Sequence, residues 1–256
     1  MKSLLKKVIS NDFVFSLRNT LKFRPVDTSL NSLKKSSSIS DAFCWRTDNG
    51  YKTLFIFSDL LKLFYDLDDS YVELLIYTKD NKLIKTIKLN SLNFSNKILI
   101  DKKLLNDIED YGTFYFFHRL KNKPKEEILI SNRCYLGFYK DDNLPSFVHG
   151  NVNVAYKEFV ENEVKRNIVK SSILKNQIYE IQNLFEKNEK NELFFINPLS
   201  KKIKLSLNNN FYTIDSGCSK IIDIKNQTHV KIVSNCSFLR PIIFNYNKNY
   251  IDVYHS

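Results

Sequence analysis

Asp41-Ala42-Phe43-Cys44-Trp45-Arg46-Thr47-Asp48-Asn49-Gly50, continuing through Tyr51-Lys52-Thr53-Leu54-Phe55-Ile56-Phe57-Ser58-Asp59, is the stretch from which the fold is read. Two runs rich in aromatic and β-branched residues, Ala42–Thr47 and Thr53–Phe57, flank Asp48-Asn49-Gly50. Asn-Gly between such runs is a hairpin-type turn signal. The stretch holds the chain's only Trp and one of seven Arg, and it follows a basic segment of different texture.

The strand texture continues on the C-terminal side. Tyr71–Thr78 and Lys82–Leu89 flank Lys79-Asp80-Asn81, a second hairpin signal, and Asp59–Asp66 has the pattern of a short helical turn. Leu104–Tyr111, an apolar and acidic turn, leads through Gly112 into the aromatic strand Thr113–His118. This has the form of the corner before the penultimate strand of immunoglobulin-like sandwiches. Arg133–Tyr139 and Ser146–Ala155 complete a first body. Residues 156–176 are polar, with partial helical spacing at Phe159, Val160, Val164, Ile168 and Val169. From Gln177, strands recur to Tyr254, and Glu186–Asn191 reads as an exposed hairpin tip. The expectation is a mostly β protein of two tandem antiparallel β-sandwich domains, immunoglobulin-like or jelly-roll-like, at 41–155 and 177–256. A connector at 156–176, helical in one reading, joins them.

On the N-terminal side, Leu5, Val8, Ile9, Phe13, Leu17 and Leu21 have helical spacing, with Lys and Arg on other faces. Ser29–Ser40 has the composition of a linker. Residues 1–40 are thus expected to be a basic, partly helical extension. They carry eight basic and two acidic residues, a net +6 of the chain's +11. Such a tail suits an anionic membrane surface or an acidic partner. The chain has 7 Arg against 32 Lys, which disfavours specific nucleic-acid recognition, where Arg forks dominate. No signal-peptide pattern and no run approaching a membrane span occurs. A cytoplasmic protein is expected, in one reading peripheral at the inner face of the membrane.

The four cysteines, Cys44, Cys134, Cys218 and Cys236, form no C-x-x-C pair, so free thiols are expected and neither metal nor cofactor. Phosphate loops, nucleophile elbows and His-Glu-x-x-His are missing. Three places retain groups capable of chemistry. Asp41, Trp45, Arg46 and Asp48 form the first. An outward Trp45 offers a platform for a sugar ring or a base, whereas an inward one anchors a core, the commoner fate. Arg46 either clamps a ligand's carboxylate or phosphate, or pairs with Asp41 or Asp48. The second is Ser146–Asn153, with His149 and Asn151 beside Gly150 at a strand end. The third is His255, placed to reach a cleft between the bodies.

Two kinds of function fit this pattern. One is a non-catalytic binding or accessory protein recognising carbohydrate or glycoconjugate, with ligand-binding candidates Trp45, Arg46, Arg133, His149 and Asn151, for example in bacterial surface-polysaccharide assembly. The other is a hydrolase or transferase on a β scaffold, with a pocket around Arg46, Arg133 and His149 and catalytic candidates Asp41, Arg46, Asp48 and His149. Docking of the basic N-terminus on a membrane or partner is a third reading. Nothing in the sequence names a protein partner.

Overall fold

In the computed structural model the described residues are 36–255, except 133, 141–142, 151–152, 167, 170–175, 183–187, 225–228, 237–238 and 249, together with Asn11, Phe13, Val14 and Leu17. The protein is mostly β, with strands in five sheets.

Three sheets use residues 37–158. β1 (Ser37–Asp41) is the centre of a three-stranded sheet. It pairs antiparallel with β11 (Asn153–Glu158) and parallel with β8 (Leu129–Asn132). A second sheet has the order β2 (Phe43–Arg46), β7 (Tyr111–Leu120), β4 (Ser70–Thr78), β5 (Leu83–Leu89). A third has the order β10 (Ser146–His149), β9 (Tyr135–Lys140), β3 (Tyr51–Phe57), β6 (Asn96–Ile100). The short helix α1 (Leu60–Tyr65) follows β3, with the Asp59 carboxylate accepting from Lys62 N. An acceptor there satisfies an amide that a helix start leaves open.

The second and third sheets pack face to face in a sandwich-like arrangement. Phe55 lies edge-on to Phe114 at 4.9 Å and to Phe116 at 5.0 Å, and Phe43 stacks on Phe114 at 5.2 Å. Each such pair adds about 0.5–1.5 kcal/mol to what burial alone gives.

Two further sheets use residues 177–255. One has the order β12 (Gln177–Gln182), β17 (His229–Ser234), β14 (Ile203–Leu207), β15 (Asn210–Ile214). The other has the order β16 (Ser219–Ile224), β13 (Lys190–Ile196), β18 (Ile242–Asn247), β19 (Tyr250–His255). Leu193, Phe195 and Ile243 face the first of these sheets, packing in one cluster with Leu205, Leu207, Val230 and Ile232. Phe194, Ile196, Ile242, Phe244 and Tyr246 point the other way and join the cluster of Phe43, Trp45, Tyr51 and Phe138. The β13–β18 sheet is therefore buried on both faces. That is why Leu193-Phe194-Phe195-Ile196 is apolar without alternation. No strand pairing crosses between residues 37–158 and 177–255 among the described residues, yet the apolar core does.

Four local expectations are corrected. Asp48-Asn49-Gly50 closes no hairpin: β2 and β3 lie in different sheets, and the turn, with Asn49 at φ 51° and Gly50 at φ 82°, carries the chain between them. The Thr53 hydroxyl takes the place of a ladder there, 2.9 Å from Arg46 N and 3.2 Å from Arg46 O. Likewise β12 and β13, on either side of Glu186–Asn191, belong to different sheets. Ser37–Ser40, read as linker, is a fully buried strand. Residues 159–166 are not helical, and Tyr156 bridges back to Lys165. The second hairpin, β4 to β5, pairs as expected. Phe13, Val14 and Leu17 are helical, and the rest of residues 1–35 apart from Asn11 lies outside the described residues. No helix among the described residues is long and apolar enough to cross a membrane.

Candidate functional site

Trp45 and Arg46 point to opposite faces of β2, and both are buried, because β2 is covered on each side. Trp45 is the inward anchor. Its indole N–H donates to Tyr77 O at 2.8 Å. Arg46 is only 1% exposed. Its Nε and Nη2 fork the Asp48 carboxylate at 2.9 and 2.6 Å. Its Nη1 donates to Glu192 Oε2 at 2.5 Å and to Tyr246 Oη at 3.1 Å. The guanidinium also lies over the rings of Tyr51 and Phe244, at 4.2 and 4.9 Å. Burial alone would lower the Arg46 pKa, but the hydrogen bond to Asp48 and the charges of Glu192 and Asp48 raise it further. Burial would likewise raise the Glu192 carboxyl, and Arg46, Lys190 and the Tyr246 hydroxyl hold it below the usual range instead. This fork is engaged within the protein and joins β2 to β13 and β18.

Asp41 belongs to a different buried cluster. A Cβ on Gly150 would come within 2.3 Å of Asp41 Oδ2, so the Gly150 backbone lies directly against that carboxylate. The Gly150 N–H donates to Cys134 O at 3.2 Å, and burial, with the Asp41 charge added, pushes the Cys134 thiol up. Arg133 and Asn151 lie outside the described residues.

The structure brings together His149 and His255, singled out separately in the sequence. Their ring centroids are 4.4 Å apart. His149 Nδ1 is 2.7 Å from Gly150 O, which can only accept, so Nδ1 carries the proton. His255 Nε2 is 2.7 Å from His149 O and by the same reasoning donates to it. That tautomer leaves His255 Nδ1 as a buried acceptor with no hydrogen-bond partner. Burial, with the neighbouring His149 and Arg240, lowers the His255 pKa to about 4 against the pull of its hydrogen bond to His149 O. Ser146 Oγ accepts from Val253 N at 2.8 Å, so β10 is clamped to β19 beside this pair. Among the described residues no group of three or more His, Cys, Asp or Glu is placed to hold a metal ion.

The accessible surface next to this pair is the outer face of the β10–β9–β3–β6 sheet. Alternation sends Leu136, Phe138 and Val148 inward and leaves Tyr135, Gly137, Tyr139, Phe147 and His149 on the outside. Tyr135 is 60% exposed and Phe147 46%. Phe147 pairs with Gly137, and its ring lies across the glycine: a Cβ there would meet Phe147 Cε1 at 2.7 Å. Tyr135 and Tyr139 stand two residues to either side of Gly137, so with the Phe147 ring over that glycine the three aromatics form a row along β9 about 14 Å long. Leu54 and Leu99 extend the apolar surface across β3 and β6. Lys52, paired with Tyr139, and Lys97, paired with Ile56, stand exposed at its two ends. Such a face offers flat apolar rings with amine, imidazole and phenol groups around them. Of these residues, only His149 was singled out from sequence. The signal for the rest was the alternation Tyr135-Leu136-Gly137-Phe138-Tyr139 beside Phe147. A separate surface pocket of about 320 Å³ is lined by Lys123, Lys125, Glu126, Glu127, Glu158 and Phe159 among others, and holds none of the sequence candidates.

No protein-family model matches the sequence, and no curated relative does. Among solved structures, the chain aligns with the major pilin protein (T3.2) from Streptococcus pyogenes serotype GAS13637 over 86% of its own length and 99% of that chain. The identity is 12% and the TM-score 0.19, a superposition too loose to carry an argument about fold or function.

Proposed function

We propose that this protein is a non-catalytic binding protein that recognises carbohydrate, as a glycan or glycoconjugate, on the outer face of the β10–β9–β3–β6 sheet. The observation that carries the reading is the row of exposed Tyr135, exposed Phe147 and half-buried Tyr139, with the Phe147 ring lying across Gly137 where there is no side chain beneath it. Flat rings with polar edges offer apolar contact area with little loss of side-chain freedom, and a contiguous exposed apolar patch on a folded protein marks an interaction site. A sugar ring presents an apolar C–H face to stack and hydroxyls to bond at the rim. Two features favour binding over catalysis. The Arg46 fork is engaged by Asp48 and Glu192, and among the described residues the strands of the aromatic face present no outward carboxylate to act as acid or base.

The test is calorimetric titration of the chain with a panel of neutral and acidic polysaccharides, repeated with Tyr135→Ala, Phe147→Ala and the remote control Phe211→Ala. Binding that weakens about tenfold in the first two variants and is kept in the control is the expected result. Binding indifferent to all three substitutions, or no binding to any polysaccharide, overturns the proposal.

A further inference from the structure

We infer that the glycan bound by this face is anionic, a polysaccharide whose acidic groups recur along its length. The inference rests on the carbohydrate reading of the face and adds the class of ligand. Its basis is the sign and spacing of charge.

The side chains that the four strands present outward include Lys52, Lys97 and His149 and no Asp or Glu. Neither lysine is ion-paired with a described residue, whereas Lys102 pairs with Glu109 and Lys202 with Asp215. Just past the end of β6, Asp101 is next in register to Lys52 but makes no ion pair with it, accepting instead from Leu104 N at 2.8 Å. Among the described residues the outward side chains of the four strands are therefore an apolar platform whose charges are basic. Charge complementarity of this kind selects the partner's sign and speeds encounter.

The spacing is informative too. Lys52 lies beside Tyr139 and Lys97 beside Ile56, in the row of Tyr135. Four residues of extended strand separate those rows, about 14 Å. Lys52 thus stands one strand from β9, in the row of Tyr139, and Lys97 two strands from it, in the row of Tyr135, and one charge on a single sugar could not reach both. A chain with sugar rings stacked on Tyr135, Phe147 and Tyr139 that extends across β3 meets both lysines if its acidic groups recur. A second copy of this chain is the wrong occupant. Isologous pairing of the face would set lysines against an equally basic rim, and like charges opposed across an interface disfavour it.

The experiment compares each acidic polysaccharide with its own uncharged derivative: polygalacturonate, alginate and hyaluronan against their carboxyl methyl esters. Polyglutamate serves as the polyanion without sugar rings. The chain and three variants are titrated at low and moderate salt: Lys52→Gln with Lys97→Gln, Tyr135→Ala, and Lys190→Gln as a basic residue outside the face. At least one acidic polymer is expected to bind about five- to tenfold more tightly than its ester. That advantage should vanish in the double lysine variant and shrink with salt, while binding of either form weakens in Tyr135→Ala. Equal affinity for acid and ester, both dependent on Tyr135, overturns the anionic assignment and leaves the carbohydrate reading standing. Polyglutamate binding as tightly as the best polysaccharide overturns the assignment in favour of plain polyanion attraction. Failure to bind any of the polymers, charged or neutral, overturns both.

Discussion

The Arg46 guanidinium and the Glu192 carboxylate meet at 2.5 Å across 146 residues of sequence, and with Asp48 and the Tyr246 hydroxyl they make a buried charged contact between β2 and the β13–β18 sheet. Taking charges out of water costs several kcal/mol per ion, and the pairing repays it only while every partner is in place. Around this contact the core is continuous, from Trp45 and Tyr51 to Phe194 and Phe244.

Removal of one partner should therefore be far worse than removal of both. Glu192→Gln leaves the Arg46 charge buried with Asp48 as its remaining carboxylate and is expected to cost about 3–5 kcal/mol in urea unfolding. Arg46→Met with Glu192→Met should recover part of that loss, because the site is walled by Tyr51 and Phe244 and accepts apolar volume, while Asp48, left without its partner, turns to water. The urea series also tests the shared core. Trp45 emission and far-ultraviolet circular dichroism should trace one coincident transition. Two separated transitions would show that residues 37–158 and 177–255 unfold independently.

A second prediction follows from the histidine pair. The His255 pKa falls from 6.5 in the unfolded chain to about 4 in the folded protein, because burial disfavours the charged ring. Between those values the unfolded state binds more protons, so stability rises with pH from about 4 to 6.5 and is lost on acidification through that window. Water reaches part of the ring, and the expected contribution is about 1–2 kcal/mol after that screening is allowed for. His118, buried and held neutral between Asn132 and Ser58 O, acts with the same sign. Glu192 adds its own acid lability below about 4.5. His255→Gln should thus flatten, without abolishing, the pH dependence of urea midpoints between pH 4.5 and 6.5. An unchanged slope would rule out His255 as a contributor.

The serines of β1 give a third. Ser38 Oγ accepts from His118 N at 2.9 Å and from Asn132 Nδ2 at 2.7 Å, while Ser40 Oγ accepts from Phe116 N at 2.9 Å. β1 runs beside β7 with no ladder between them, and these hydroxyls stand in for the missing carbonyls. Ser38→Ala leaves the buried His118 amide short of an acceptor, while Asn132 Nδ2 keeps Ile39 O at 2.8 Å and Phe116 O at 3.3 Å. It should cost about 1–3 kcal/mol in thermal or urea unfolding, against a few tenths for an exposed serine such as Ser95→Ala.

The same serines explain what the sequence concealed. Strand content was legible wherever apolar residues alternated or ran together, as at Lys202–Leu207 and Leu193–Ile196, because burial on one or two faces writes itself into composition. Ser37–Ser40 is buried through hydrogen bonding and reads as linker. Asp48-Asn49-Gly50 reads as a hairpin because local turn chemistry does not encode which sheet the next strand joins. At the candidate site, His149 was visible as a reactive type at a strand end. Its contact with His255 depends on how β10 meets β19, which no local pattern carries. Tyr135 and Phe147 are of residue types that normally go inside, and only their register against Gly137 shows that they face out.

Gly137 and Gly112 make the last prediction, because a methyl group added at each meets very different neighbours. At Gly112 the new Cβ would lie 2.1 Å from Tyr77 O and 2.7 Å from Thr78 C, both backbone atoms of the paired strand β4. Backbone within a central sheet cannot give way locally, so Gly112→Ala is expected to lose about 3 kcal/mol or more, or to fail to fold. At Gly137 the nearest atoms all belong to the Phe147 ring, the far end of a partly exposed side chain that can swing aside. The strand gains a residue better suited to it than glycine, and the net stability change should stay within about 1 kcal/mol. Displacing the ring breaks the row between Tyr135 and Tyr139 all the same. Gly137→Ala should therefore keep a near-native melting temperature and lose most of the polysaccharide binding that Phe147→Ala loses. Retention of full binding by Gly137→Ala would show that the orientation of Phe147 over the strand is immaterial to recognition.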